Sequence, residues 1–288
     1  MEVKILNGRE TSEAIRKEIA QEVEKLKRED ILPYLGVILV GDYPPSLIYV
    51  RNKEKACEKV GIKSKTMHLP ERTSQDELLS LIDLWNGDPE IHGILVQLPL
   101  PPHISQDVVL SKISPEKDVD GLTPVNLGRL LSSKPIFYPC TPSGIIELLE
   151  RNKIEIEGKY VVIVGRGTLV GKPLACMFLE KTKRGNATVT VCHTKTKDIA
   201  SFTREADILI AAIGSPKAIT QDMVKEGAVV VDVGVNRVDG KLVGDVDFDR
   251  VKEKVYAITP VPGGVGPMTV TMLLKNTVKA ARRAAMGS

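Results

Sequence analysis

The sequence predicts an α/β protein of two domains, each a parallel sheet covered by helices. Short runs rich in Val, Ile and Leu alternate with helical patterns along the chain, which is the rhythm of βαβ units. Hydrophobic residues make up 42% of the sequence and aromatics only 4%, so the cores must be aliphatic, as the interiors of buried parallel sheets are. The 288 residues suit two domains of roughly 100–200 residues each.

The elements follow in order. Gly8–Arg28 reads as a long polar helix with Ile15, Ile19, Val23 and Leu26 on one face. Leu35–Gly41 is a buried strand, Ser46–Val60 a helix, Lys63–Leu69 a second strand, Ser74–Trp85 a second helix and Ile91–Leu98 a third strand. Pro99–Pro142 is proline-rich and reads as irregular structure lining a cleft, with the crossover into the second domain inside it. Thr141–Asn152 is the next helix, with Thr141 or Ser143 as its cap. Strands follow at Tyr160–Val164, Thr188–Cys192, Asp207–Ile213 and Val229–Val233, with the helix Gly171–Thr182 between the first two. Met268–Ala285 is the last helix, placed back against the first domain. The expected division is residues 1–138 plus 268–288 for one domain, and 139–267 for a Rossmann-like dinucleotide-binding domain.

Composition narrows the function. The net charge is +3, from 40 basic and 37 acidic residues. No long basic run is present, and Lys275–Arg283 reads as one solvated helix face, so nucleic acid is not an expected partner. Cys57, Cys140, Cys176 and Cys192 are far apart and the four histidines are scattered, so no metal site is expected and the cysteines read as free thiols in a reducing cytosol. Met1–Gly8 does not resemble a secretory leader and no apolar stretch reaches membrane length. The expectation is a cytoplasmic protein; Gly287–Ser288 is given no role.

Five segments carry candidate chemistry. The first is the turn after Lys159–Val164, GRGTLVGKPLA, with Gly165, Gly167 and Gly171 between a strand and a helix. Glycines let backbone approach a phosphate, and a helix N-terminus offers free N–H groups and partial positive charge. The spacing is one residue longer than the usual dinucleotide fingerprint; an ordinary glycine turn is the plain alternative. The next strand ends Cys192–His193–Thr194–Lys195–Thr196–Lys197 without the acid that usually holds the ribose hydroxyls of NAD. With Arg166, Lys195 and Lys197 near in sequence, a 2′-phosphate fits better, although each lysine alone reads equally as a solvated loop charge.

Tyr49 and Lys53 are four apart and share a helix face; from spacing alone a surface pair is the better reading. Gln97 closes a buried strand, where open α/β sheets bind ligands; its amide could hold Lys53 or a substrate, or simply cap the strand. Asp118–Val119–Asp120–Gly121 is the fourth segment, and paired acids before a glycine are usually a turn. The fifth, Pro260–Thr269, spends many glycines just before a helix. That cost favours a close backbone–ligand contact over a linker.

In combination and order, YVRNKEKACEKVGI, GILVQLPLP, PEKDVDGL, YPCTPSGI, DVGVNR and TPVPGGVGPMT resemble the methylenetetrahydrofolate dehydrogenase/cyclohydrolase family, from about Gly8 to the last helix. The resemblance implies two domains with the active cleft between them, NADP as cofactor, tetrahydrofolate derivatives as substrates, a place in one-carbon metabolism and purine biosynthesis, and a homodimer. It implies that Tyr49 stacks on the folate, that Lys53 is the central catalytic group with Gln97 beside it, and that Asp120 holds the pterin ring. Val96, Leu98, Pro262, Gly263 and Gly266 join the substrate contacts, and Pro262–Thr269 closes over substrate and nicotinamide. Gly165, Arg166, Gly167, Gly171, His193, Thr194, Val235, Gly266 and Thr269 are the implied cofactor contacts. The chain departs from the family at Gly167, where G-R-S is usual. A dehydrogenase lacking the hydrolytic step, and a scaffold with a vestigial site, are the rival readings; joint retention of Tyr49, Lys53, Gln97 and Asp120 speaks against the second.

Overall fold

The computed structural model describes residues 2–287; Met1, at the head of the segment read as no leader, and Ser288, one of the terminal pair given no role, lie outside the described residues. In chain order the elements are β1 (Lys4–Ile5), α1 (Gly8–Lys27), β2 (Tyr34–Val40), α2 (Pro44–Val60), β3 (Lys63–Leu69), α3 (Gln75–Gly87), β4 (Gly93–Val96), α4 (Gln106–Lys112), α5 (Pro124–Leu131) and α6 (Cys140–Arg151). They continue with β5 (Tyr160–Val164), α7 (Gly171–Leu179), β6 (Thr188–Cys192), α8 (Ile199–Thr203), β7 (Ile208–Ala211), β8 (Val229–Asp232), β9 (Asn236–Val238), β10 (Lys241–Val243), α9 (Phe248–Val251), β11 (Ala257–Ile258) and α10 (Val265–Ala285). The chain forms two compact units, residues 14–140 with 270–287 and residues 2–13 with 141–269.

The first unit is built on a parallel sheet of order β3-β2-β4. All seven residues of central β2 are buried, whereas edge strand β3 alternates between half-buried and exposed positions. A continuous apolar run needs cover on both faces, and helices supply it. Ile38, Val40, Leu78, Ile82, Trp85, Ile94 and Val109 form one core cluster. Helix α3 starts cleanly because Ser74 and Glu77 make a reciprocal capping box. Helix α2 ends at Gly61, whose φ of +79° is the left-handed stop that glycine adopts without strain. The last part of α10 belongs to this unit: Asn276 Nδ2 donates to the carbonyls of Val119 (2.9 Å) and Tyr138 (3.1 Å), and Lys279 Nζ to that of Ile136.

The second unit has a six-stranded parallel sheet of order β1-β11-β8-β7-β5-β6. Strands β5, β7 and β8 consist almost wholly of buried Val, Ile and Leu, as a doubly covered sheet requires. Its strand order reverses at β5, with β6 on one side and β7 on the other, so the carboxyl ends of these strands form a topological switch point.

Three expectations need correction. Pro99–Pro142 is not irregular throughout: it contains α4 and α5, the latter started by Thr123 accepting from the Asn126 N–H and by Pro124 in the first turn. Helix α6 begins at Cys140, so Thr141 and Ser143 lie inside its first turn rather than capping it, and Thr141 Oγ1 instead meets Thr269 Oγ1 at 3.0 Å. Residues 2–13, expected with the first domain, sit with the second unit because β1 pairs in parallel with β11; a two-residue strand carries no periodicity to betray it. The hairpin β9–β10 also went unread, although Asp239–Gly240, both at positive φ, is a recognised two-residue hairpin turn.

One close approach in the first unit is directly testable. A Cβ on Gly36, in the middle of β2, would meet the ring of Trp85 at 2.6 Å. Gly36→Val overpacks that contact and is expected to cost about 1–3 kcal/mol. Because Trp85 is the sole tryptophan, its fluorescence reports the lowered denaturant midpoint; an unchanged midpoint would refute the packing.

Candidate active site and dinucleotide turn

Lys53 lies in the middle of α2, and Gln97 follows the last residue of β4. The Gln97 N–H continues the ladder by donating to Ile38 O at 2.8 Å. Its side-chain Nε2 donates to Leu98 O at 2.6 Å, which turns Oε1 outward to accept from Lys53 Nζ at 2.9 Å. Buried Ser46, in the first turn of α2, donates to the same Leu98 carbonyl. The helix, the strand end and the Leu98–Pro99 turn are thereby tied around one amine. Leu98–Pro99 is a cis peptide. Tyr49, one helical turn before Lys53, is an exposed aromatic.

The two aspartates of the 118–121 turn do different things. Asp118 is buried and its carboxylate accepts from the N–H groups of Gly121, Leu122 and Thr123 and from Asn126 Nδ2, all within 2.8–3.1 Å. This is the turn-forming role that the sequence pattern suggested. Asp120 is instead coupled electrostatically to Lys53. Burial raises its pKa above the usual carboxylate range, with the negative charge of Asp118 adding to the effect and Lys53 opposing it. Burial likewise lowers the pKa of Lys53, and the charge of Asp120 only partly restores it. Burial thus acts against the charge on both groups, while each charge favours the other. Cys140 completes the cluster: its Sγ donates to Val119 O at 3.2 Å, and burial followed by the charge of Asp120 holds its thiol protonated.

In the second unit the turn after β5 is tightly wound. Gly165 has φ +130°, and a Cβ there would strike Ala212 O, just past β7. A Cβ on Gly171 would strike Gly165 O. No side chain caps the start of α7; the Lys172 N–H donates to Gly167 O at 3.1 Å, and Pro173 has no N–H to leave unpaired. A helix N-terminus and close-packed glycines at a switch point fit a dinucleotide pyrophosphate. Gly167 has open space around its missing Cβ, so a serine would fit there and packing does not force the departure.

Past β6, His193 to Thr196 close a small turn in which Thr196 N–H donates to His193 O at 2.7 Å and Thr196 Oγ1 accepts from the His193 N–H. Thr194, Lys195, Lys197 and Arg166 are exposed. The next acid, Asp198, is engaged as the cap of α8 through the Ser201 N–H. Val235 is exposed in the loop after β8. Gly263 (φ +110°) and Gly264 precede α10; a Cβ on Gly8 would strike Gly264 O and one on Gly264 would crowd Pro260 O, whereas Gly266 has open space around it. Within this segment Pro262 and Gly266 are exposed, and Gly263 and Thr269 half-buried.

Sequence reading singled out Lys53, Gln97 and Asp120, which the structure brings together with buried Val96 and half-buried Leu98. It gave no role to Ser46, Cys140, Asn276, Asp232 or Asp245. The last two lie in DVGVNR and GDVD, where an acid beside a glycine at a strand end was the available signal.

Comparisons with known proteins agree with this geometry. Residues 6–120 match the catalytic domain of the tetrahydrofolate dehydrogenase/cyclohydrolase family, and residues 139–285 match its NAD(P)-binding domain. The bifunctional protein FolD of Moorella thermoacetica is 57% identical over 98% of this chain and 100% of the relative. The FolD methylenetetrahydrofolate dehydrogenase/cyclohydrolase of Campylobacter jejuni superposes with a TM-score of 0.94 at 51% identity, covering 98% of this chain and 99% of the other. The Trypanosoma brucei enzyme, solved with NADP and an inhibitor, gives 0.93 at 42% identity, with 99% of each chain covered.

Proposed function

The chain belongs to the tetrahydrofolate dehydrogenase/cyclohydrolase family, and from that premise we propose how its own residues divide the two reactions. It oxidises 5,10-methylenetetrahydrofolate to the 5,10-methenyl cation and hydrolyses that cation to 10-formyltetrahydrofolate. NADP, when bound, supplies the hydride acceptor. The remaining demands fall on the chain.

The first reaction needs little acid–base help, because a folate nitrogen lone pair stabilises the cation that forms. Positioning is the main contribution, and Tyr49 as a stacking surface and Asp120 as a partner for the pterin ring supply it. The second reaction moves protons. Water attacks the methenyl carbon, its proton must leave, and the C–N5 bond opens as N5 takes up a proton. A neutral Lys53 amine accepts the first proton and returns one to N5. The observation that carries this reading is the partner of Lys53: Gln97 Oε1, 2.9 Å away, orients the amine without adding a negative charge. A carboxylate there would hold the lysine protonated and useless as a base. Substrate contacts from Val96, Leu98, Pro262, Gly263 and Gly266, and cofactor contacts from Gly165–Gly167, Gly171, His193, Thr194, Val235, Gly266 and Thr269, complete the assignment. A homodimer in the cytoplasm belongs to the same proposal; the four cysteines, all free, suit a reducing compartment.

Lys53→Met keeps the length of the side chain and removes the proton carrier. It is expected to abolish hydrolysis of methenyltetrahydrofolate while leaving measurable NADPH formation from methylenetetrahydrofolate, so that the methenyl absorbance accumulates. Hydrolysis near the wild-type rate would contradict the role, and loss of both activities in a folded, substrate-binding variant would contradict the division of labour. Arg166→Ala removes a charge-assisted contact worth about 1.5–3 kcal/mol. It is expected to lower kcat/KM for NADP by roughly 10- to 150-fold and to change use of NAD much less; equal losses with both cofactors would remove the 2′-phosphate assignment.

A further inference from the structure

Two aspartates beyond the carboxyl ends of β7 and β8 are buried and interlocked. Asp245, wholly buried, accepts the backbone N–H groups of Ile213 (2.6 Å), Gly214 (2.9 Å) and Ser215 (3.0 Å), the three residues that leave β7 after Ala212. Its other close donor is Asn236 Nδ2 at 2.9 Å. Asp232, the last residue of β8, accepts from the N–H groups of Gly234, Asp245 and Val246. Each carboxylate also lies over a glycine. A Cβ on Gly234 would strike the Asp245 carboxylate, and one on Gly244 would strike that of Asp232. Burial, with the charge of Asp245 beside it, pushes Asp232 up to about 6 against the three N–H groups that pull it down. Two acids this enclosed and this close are an expensive way to hold two loops, and neither takes part in the reactions above.

The loops they hold indicate what the arrangement serves. Ala212 O abuts Gly165, so the segment latched by Asp245 is the wall against which the phosphate-binding turn is packed. Val235 lies between Gly234, fixed by Asp232, and Asn236, fixed by Asp245; it is held up, half exposed, by both neighbours. In a doubly wound sheet the adenosine half of a dinucleotide extends from the pyrophosphate over the strand carrying the ribose-binding end, here β6. The nicotinamide half must then run the other way, over β7 and β8.

Resting on the NADP reading above, we propose that Asp245 is a positioning residue for the nicotinamide half of the cofactor. Through the amides of Ile213–Ser215 and through Asn236, it sets the two loops beyond β7 and β8 against which the nicotinamide nucleotide lies. Asparagine cannot replace it. Four donors would share one carbonyl oxygen, and the amide hydrogens would face N–H groups.

The test separates the two halves of the cofactor. Binding of NADPH and of 2′,5′-ADP, which carries only the adenosine end, is measured by calorimetry for wild type, Asp245→Asn and Asn236→Ala. The second variant frees Val235 while leaving both buried acids in place. In Asp245→Asn the Kd for NADPH is expected to rise by about tenfold or more, with a smaller rise in Asn236→Ala. The Kd for 2′,5′-ADP and the rate of methenyltetrahydrofolate hydrolysis should stay at wild-type values in both. NADPH binding unchanged in both variants would overturn the proposal. So would equal weakening of NADPH and 2′,5′-ADP, since that marks general damage to the unit. A wild-type protein that binds neither ligand would instead fail the NADP reading itself, and this inference with it.

Discussion

An amine removed from water and given an amide rather than a carboxylate as its hydrogen-bond partner is the interaction on which the proposed chemistry depends. Lysine in water is protonated near neutrality, with a pKa of about 10.4. In the first unit, burial acts against the charge, and Gln97 Oε1 accepts from Nζ without compensating it. The one acid that could restore the ammonium, Asp120, is itself pushed toward its neutral form by the same burial. The surrounding fold maintains this balance. Leu98 O receives Gln97 Nε2 and Ser46 Oγ, so neither the amide nor the start of α2 can rotate without breaking another bond. Asp118 fixes the turn that carries Asp120.

A second theme links the units. Parallel sheets place their ligand-binding ends at loops, and loops lack ladder partners for their amides. Here buried aspartates supply those partners. Asp118 latches residues 121–123, Asp245 latches 213–215, and Asp232 latches Gly234 together with 245 and 246. A carboxylate accepts several N–H groups at once, so one side chain can hold a turn that would otherwise be soft. Asp120 differs: its carboxyl interacts electrostatically with Lys53 and is hydrogen-bonded with Cys140.

Much of this was legible in the sequence where period and punctuation agree. The apolar runs at β2, β5 and β6 and the helix faces of α1 and α2 stand within a residue or two of their expected bounds. The glycine turn at 165–171 announced itself by its strand–helix context. β1, α8 and β11 left no trace, because they are fixed by pairing or capping and not by periodicity. The site divides the same way. Gln97 was singled out by its place at the end of a buried strand, where its amide could hold Lys53; the roles of Lys53 and Asp120 came from the resemblance, and spacing alone made Tyr49 and Lys53 a surface pair. Asp232 and Asp245 were missed because most of their donors lie far along the chain, and the acid near a glycine at a strand end does not by itself name them. Asp118 was read correctly for the simplest reason: acids before a glycine usually make a turn.

The titration of the Lys53 side chain itself tests the central claim most directly. Heteronuclear NMR of its Cε and Nζ, assigned by the signal lost in Lys53→Met, reports the protonation state without reference to turnover. A midpoint clearly below the ordinary lysine value of about 10.4 is the predicted result. A midpoint at or above that value would contradict it, because Lys53 would then be an ammonium throughout the neutral range and could not take a proton from water.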